Sequence, residues 1–332
     1  AAKFNPALVV SQIRRIEDGA YYKEFLELSR DETNLITAKE SKKIPISEFP
    51  ISAKTENKEG VLVVWERPAK DITFGMYYAS IDPVAEGKTT TSDSLCSIFV
   101  YKTSQEITKH KADGTIDSYV ERDKIVAAWC GRFDDLNKTH ERLELIIEWY
   151  NAWTVVENNI SLFIQYMIAK RKQKYLVPKS QILFLKELQS NTNVFQEYGW
   201  RNVSTLFKTN LVSYAQQFIE EELDHETKPD GTIVKTTYGI ERIPDIMLLK
   251  EMQAYRDGLN VDRLVAFCAM VAFAQVQQSN RGYTKRTERE EDNLQKSNNY
   301  AKLQVSPFRH IGKSKSINSG MTKPRNPFKN FK

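Results

Sequence analysis

Short apolar runs of strand length recur between residues 60 and 158, and two of them end in a carboxylate. GVLVVWERP reads as a strand over 61–65, and MYYASID as one over 76–82. SLCSIFVYK gives a third over 94–102, and KIVAAWCGRF a fourth over 124–133. TVVEN gives a short buried strand over 154–158. Runs this short, rich in Val, Ile and aromatic residues, suit strands buried in a sheet. Between the third and fourth lies a hairpin excursion, with its turn at Asp113 and Gly114.

Helical periodicity takes over from there. Residues 136–152 place Leu143, Ile146, Ile147 and Tyr150 on one face. Further helices are expected over 160–172, over 204–223 with Ser204 as N-cap, over 243–256 after Pro244, and over 260–278. Antiparallel-looking strands come first, and strands alternating with helices follow. This order predicts an α/β fold, a mixed sheet flanked by helices.

Three segments follow from the pattern. Residues 1–58 read as an N-terminal arm or linker, with helical patterns at 6–17 and 21–29 and then polar sequence around Pro45 and Pro50. Residues 59–278 form the folded body. Residues 279–332 are low in apolar content and are expected to lack structure. The chain carries +5 overall, yet its last 40 residues hold nine Lys and Arg and no acid, so the body is net acidic. Tyr300, Phe308, Phe328 and Phe331 alternate with those cations, a combination that can stack on bases and contact phosphates, or simply keep a solvated end soluble.

Several classes are disfavoured. Mean hydropathy is −0.51 and no 18-residue apolar run occurs, so no membrane span is expected. AAKFNPALVV lacks the charged start and long apolar stretch of a secretory signal. Cys96, Cys130 and Cys268 are far apart in apolar surroundings and read as buried reduced thiols; without CxxC or a Cys/His cluster no structural zinc is expected. His110, His140, His225 and His310 are scattered and receive no catalytic role. The stretch from Asp82 to Thr89 ends in GKT after a strand, but Asp82 replaces the first glycine of a phosphate loop. Pro83 also removes a backbone donor, and loop and strand follow where a helix is required. No nucleotide is expected here; Gly87, Lys88 and Ser92 read as a flexible loop.

The acids carry the functional reading. Asp82 and Glu157 each close an apolar strand, and Asp262 opens the apolar helix RLVAFCAMVAFA. Singly, each has a structural explanation: an Asx turn before Pro83, a favourable charge before the next helix, a helix cap. Jointly, packing can bring the ends of such elements to one rim. Clustered carboxylates repel, and a divalent cation offsets that repulsion. Oxygen donors without His or Cys suit Mg²⁺ or Mn²⁺, and two such ions can drive phosphodiester hydrolysis.

GVLVVWERPAKDITFGMYYASIDPVAEG…SDSLCSIFVYK, VVENN, YGWRN…TLFK and GLNVDRLVAFCAMV together resemble the nuclease domain in the large terminase subunit of tailed bacteriophages. KFNPALVVSQIRRIEDG is similar to the region that joins the ATPase motor of that family to its nuclease. The resemblance spans residues 4–278 and implies an RNase H-like fold, two-metal cleavage of double-stranded DNA in genome packaging, and a place in the host-cell cytoplasm. It implies Asp82, Glu157 and Asp262 as catalytic metal ligands, with Asp93 as an additional acid. Many relatives carry a second Asp where this chain has Arg263, which would instead contact phosphate or pair with a neighbouring acid. Lys88, Lys170, Arg171 and Lys172 join Arg263 as DNA-contact candidates; the cluster ending at Lys174 would either line a DNA groove or favour a helix C-terminus. Implied partners are the portal, the small terminase subunit and an ATPase motor that the resemblance does not cover. The alternatives are another RNase H-like nuclease of resolvase or transposase type, and a non-catalytic DNA-binding packaging module.

Overall fold

The structure, a computed structural model, describes residues 3–288 except 53–54, 56–57, 88–93, 111–114, 183–196, 202–204, 257–258 and 282–283. In chain order its helices are α1 (Pro6–Glu17), α2 (Leu136–Tyr150), α3 (Leu162–Ala169), α4 (Thr205–Glu220), α5 (Ile246–Ala254) and α6 (Asp262–Arg281). The strands are β1 (Glu24–Arg30), β2 (Ile36–Glu40), β3 (Leu62–Val64), β4 (Tyr77–Asp82), β5 (Cys96–Lys102), β6 (Gln105–His110), β7 (Ile116–Glu121), β8 (Lys124–Gly131), β9 (Trp153–Val156), β10 (Glu222–Thr227), β11 (Ile233–Tyr238) and β12 (Thr284–Glu288).

Seven strands form one mixed sheet in the order β2-β1-β3-β8-β5-β4-β9. All its pairings are antiparallel except β4 with β9, which run parallel; α2 connects β8 to β9. Strands β4, β5 and β9 are buried along nearly their whole length, because helices cover both faces. On one face α6 lies across the strands, with Tyr78 against Phe273 at 5.0 Å and Phe99 against Phe267 at 6.3 Å between ring centroids. On the other, α2 packs with Tyr150 5.2 Å from Tyr77. Side chains alternate across a strand, so each strand feeds both cores: Tyr78 and Trp153 face α6, Ala79 and Val156 face α2 and α3.

Three expectations change. The helical pattern at 21–29 is the strand β1, and β1 with β2 extends the main sheet through β3, so residues 1–58 include part of the folded body. Ladder hydrogen bonds to two neighbours outweigh the weak helical preference of Glu and Leu there. The hairpin β10–β11 lies where no strand was expected; it turns at Pro229-Asp230-Gly231, with Lys228 N–H donating to Thr232 O at 2.9 Å. Finally α6 runs to Arg281, and β12 pairs parallel with β6, so regular structure continues past 279. Tyr300, Phe308, Phe328, Phe331 and the basic end lie outside the described residues.

One glycine secures the strand end that matters most. Gly199 has φ +75, and a Cβ there would stand 2.4 Å from Val156 O, the acceptor of the Trp200 N–H. Gly199→Ala is therefore expected to cost about 2 kcal/mol or more in chemical denaturation, through both strain and the displaced strand end. A midpoint within error of the parent protein would show that this turn is not held so tightly.

Candidate active site

Parallel pairing sets Ile81 beside Val156, and the Glu157 N–H donates to Ile81 O at 2.9 Å. Asp82 and Glu157 therefore leave the sheet at neighbouring strand ends, on the face covered by α6. Their carboxyl groups hydrogen-bond one another. Asp262 opens α6 and reaches this rim from above. Its Oδ2 accepts from Leu95 N–H at 2.7 Å, at the entry to β5, and from Asn260 Nδ2 at 3.3 Å. Its carboxylate thus bonds to another strand's backbone. Glu157 is buried and accepts from Asn159 Nδ2; Asp82 and Asp262 are half-buried.

The electrostatics follow from the crowding. Burial, then the charges of Glu157 and Asp262, hold the Asp82 carboxyl well above its ordinary range. Burial lifts Asp262 to about 6, against the opposing pull of Leu95 N–H and Arg263. Two acids in contact cannot both ionise cheaply, so the pair keeps a proton at pH values where an isolated Asp has lost it.

Beyond this rim stands a buried ion pair. Arg263 Nη1 lies 3.1 Å from Glu251 Oε1, Arg263 Nη2 donates to Ile46 O at 3.2 Å, and Leu264 N–H donates to Glu251 Oε2 at 2.9 Å. Both side chains are almost fully buried. Burial still raises Glu251 to about 7. Of the two roles expected for Arg263, the structure shows the pairing with a neighbouring acid and not the phosphate contact: the guanidinium meets Glu251 inside the core.

The basic cluster follows the C-terminus of α3, as one of its two expected roles requires. The chain leaves Glu157, runs back through α3, and re-enters beside the sheet where Val177 N–H donates to Thr154 O. Lys170, Arg171, Lys172 and Lys174 consequently lie near the start of β9, at the opposite end from Glu157. Lys172 pairs with Glu144 and with Glu148 at 2.6 Å, Lys170 sits 5.6 Å over the Tyr166 ring, and Arg171 is exposed with φ 58. These cations do not flank the acids. Asp93, Lys88 and Ser92 lie outside the described residues. Gly87, expected in a flexible loop, packs its backbone against that of Asp134. The three cysteines are free thiols; Cys96 and Cys268 are buried and Cys130 half-buried, with burial pushing Cys130 up to about 12.

Among the described residues, no three His, Cys, Asp or Glu side chains converge on one point as a metal ion would need. The reason is visible locally: Asp82 and Glu157 face each other, while Asp262 is held toward Leu95. The donor set itself suits a hard divalent cation, since it is all carboxylate oxygen. A further fit is the hydroxyl of Ser97, the cross-strand partner of Asp82, which is buried with no hydrogen-bond partner. Sequence reasoning missed Ser97, Glu251, Asn159 and Asn260. An acid within the apolar stretch IMLLKEMQ was the one signal available for Glu251.

The crowding has a pH signature. In the folded chain Asp262 titrates near 6, Glu251 near 7 and Asp82 above its usual range; unfolded, these groups titrate near 4. Between those values the folded state binds more protons, so raising pH favours unfolding. Without metal, stability is expected to fall from about pH 4 to about pH 7, with Asp262 alone contributing on the order of 1–3 kcal/mol. Thermal melts in chelator check this; a melting temperature that rises across that window would contradict it.

No protein-family model matches the chain, and no curated protein matches it. Among the described residues no helix is long and apolar enough to cross a membrane.

Proposed function

We propose that the chain is a divalent-cation-dependent nuclease acting on double-stranded DNA, of RNase H-like fold and of the terminase large-subunit kind. One observation carries this reading: Asp82 and Glu157 are forced into contact at the ends of adjacent parallel strands, with Asp262 close enough to raise the Asp82 carboxyl. Such a cluster is unfavourable for folding on its own, and a cation would relieve it.

On this reading Asp82, Glu157 and Asp262 would hold two Mg²⁺ or Mn²⁺ ions, which when bound supply an activated water and charge stabilisation at the phosphodiester. Asp82, central on the rim between Ser97 and Glu157, would be the middle ligand of the set. Asn159 orients Glu157, and Asn260 with Leu95 N–H fixes the starting position of Asp262. The resemblance supplies the partners proposed with it: double-stranded DNA, the portal, the small terminase subunit and an ATPase motor, in a host-cell cytoplasm.

Supercoiled plasmid incubated with the chain and Mn²⁺ is expected to be nicked and linearised, and to stay intact in chelator. Intact plasmid in Mn²⁺ with folded protein would overturn the catalytic claim. The placement of Asp262, turned to Leu95, favours a second reading, a non-catalytic DNA-binding packaging module. Calorimetry decides between them, because that module would take up no Mn²⁺.

A further inference from the structure

The rim row on the α6 side of the sheet reads Cys130, Ser97, Asp82, Glu157 across β8, β5, β4 and β9. One step inward the row is Ala128, Phe99, Ser80, Val155. Ser80 and Ser97 are thus diagonal neighbours, on the same face as Asp82 and next to it. Both are fully buried, and neither Oγ has a hydrogen-bond partner. Buried hydroxyls are almost always paired, and an unpaired one costs more than the methyl of Ala would in the same place. The rest of this face is apolar: Tyr78, Phe99, Tyr101, Trp153 and Val155. Two hydroxyls without partners beside Asp82 and Glu157 call for a ligand that supplies hydrogen bonds.

We propose that Ser97 and Ser80 are positioning residues that form the hydrogen-bonding floor of the acid cluster, contacting the hydration shell of a divalent cation held by Asp82 and Glu157. The proposal rests on the nuclease reading and deepens it by naming which side of the cluster the cation's water occupies. A hydrated Mg²⁺ or Mn²⁺ keeps several waters, and each needs acceptors beyond the metal's own ligands. Groups in this outer layer commonly change metal affinity by about 10–100-fold.

The test is Mn²⁺ titration calorimetry together with metal-free melting on the full chain, for the parent, Ser97→Ala, Ser80→Ala and Ser97→Thr. Ser97→Ala is expected to weaken Mn²⁺ binding about tenfold, with Ser80→Ala weaker in the same direction. Ser97→Thr, which keeps the hydroxyl, should restore most of the affinity. Metal-free melting of both alanine variants should equal or exceed that of the parent, because no protein hydrogen bond is lost. Unchanged Mn²⁺ affinity in both alanine variants overturns the proposal and leaves the nuclease reading standing. A large drop in metal-free melting overturns it too, since the hydroxyl would then have a protein partner. A parent chain that takes up no Mn²⁺ removes both.

Discussion

Asp82→Asn is expected to lower Mn²⁺-dependent plasmid cleavage by about a thousandfold or more, a loss of roughly 4 kcal/mol of transition-state stabilisation. Asp82 is the middle acid of the rim, bonded to Glu157 and within the field of Asp262, so its removal leaves no carboxylate common to both neighbours. The same substitution should raise the metal-free melting temperature above about pH 7. The amide keeps a hydrogen bond to Glu157 without the repulsion between like charges. Opposite signs in the two assays would be a site trading stability for cation binding. Cleavage at more than a tenth of the parent rate, or an unchanged metal-free melt, would refute the metal-ligand role of Asp82.

Arg263→Leu is expected to destabilise the chain by about 3–5 kcal/mol, the usual result of stripping one partner from a buried ion pair. Glu251 would keep only the Leu264 N–H and lose its counter-charge. Because burial already holds Glu251 near 7, protonation can relieve part of the defect. The loss should therefore be smaller at about pH 5.5 than at about pH 8, and Arg263→Leu combined with Glu251→Leu should recover much of it. Urea denaturation at the two pH values checks both statements. A destabilisation under about 1 kcal/mol would mean the pair contributes little.

Strands β4, β5, β8 and β9 were legible because each is a short run of β-branched and aromatic residues buried on both faces. Helices α2, α5 and α6 were legible from apolar period, with Pro244 marking the start of α5; Asp245, which accepts from Met247 N–H and Leu248 N–H, became visible as its cap only in the structure. β1 was misread because EFLELS fits both periods and its pairing with β3 is set far along the chain. The hairpin β10–β11 is exposed on both strands, so it lacks an apolar signal; only the turn KPDG announced it. Of the site, the three acids stood out as polar ends of apolar elements; Asp82 and Glu157 meet at neighbouring strand ends, while Asp262 is held to Leu95 N–H. Ser80, Ser97 and Glu251 as the acid that pairs with Arg263 were not, because serine in a strand and a charge in a helix become meaningful only when the facing residues are known.

The rim draws on three stretches of chain that are distant in sequence: the end of β4, the end of β9 and the start of α6. During synthesis Asp82 and Glu157 emerge well before Asp262, and the two strands cannot be sealed on this face until α6 docks. A partly made or clipped chain ending before α6 therefore carries two of the acids without the third, and with them an open, incomplete rim. A rim with all three acids therefore requires α6 to be made and docked.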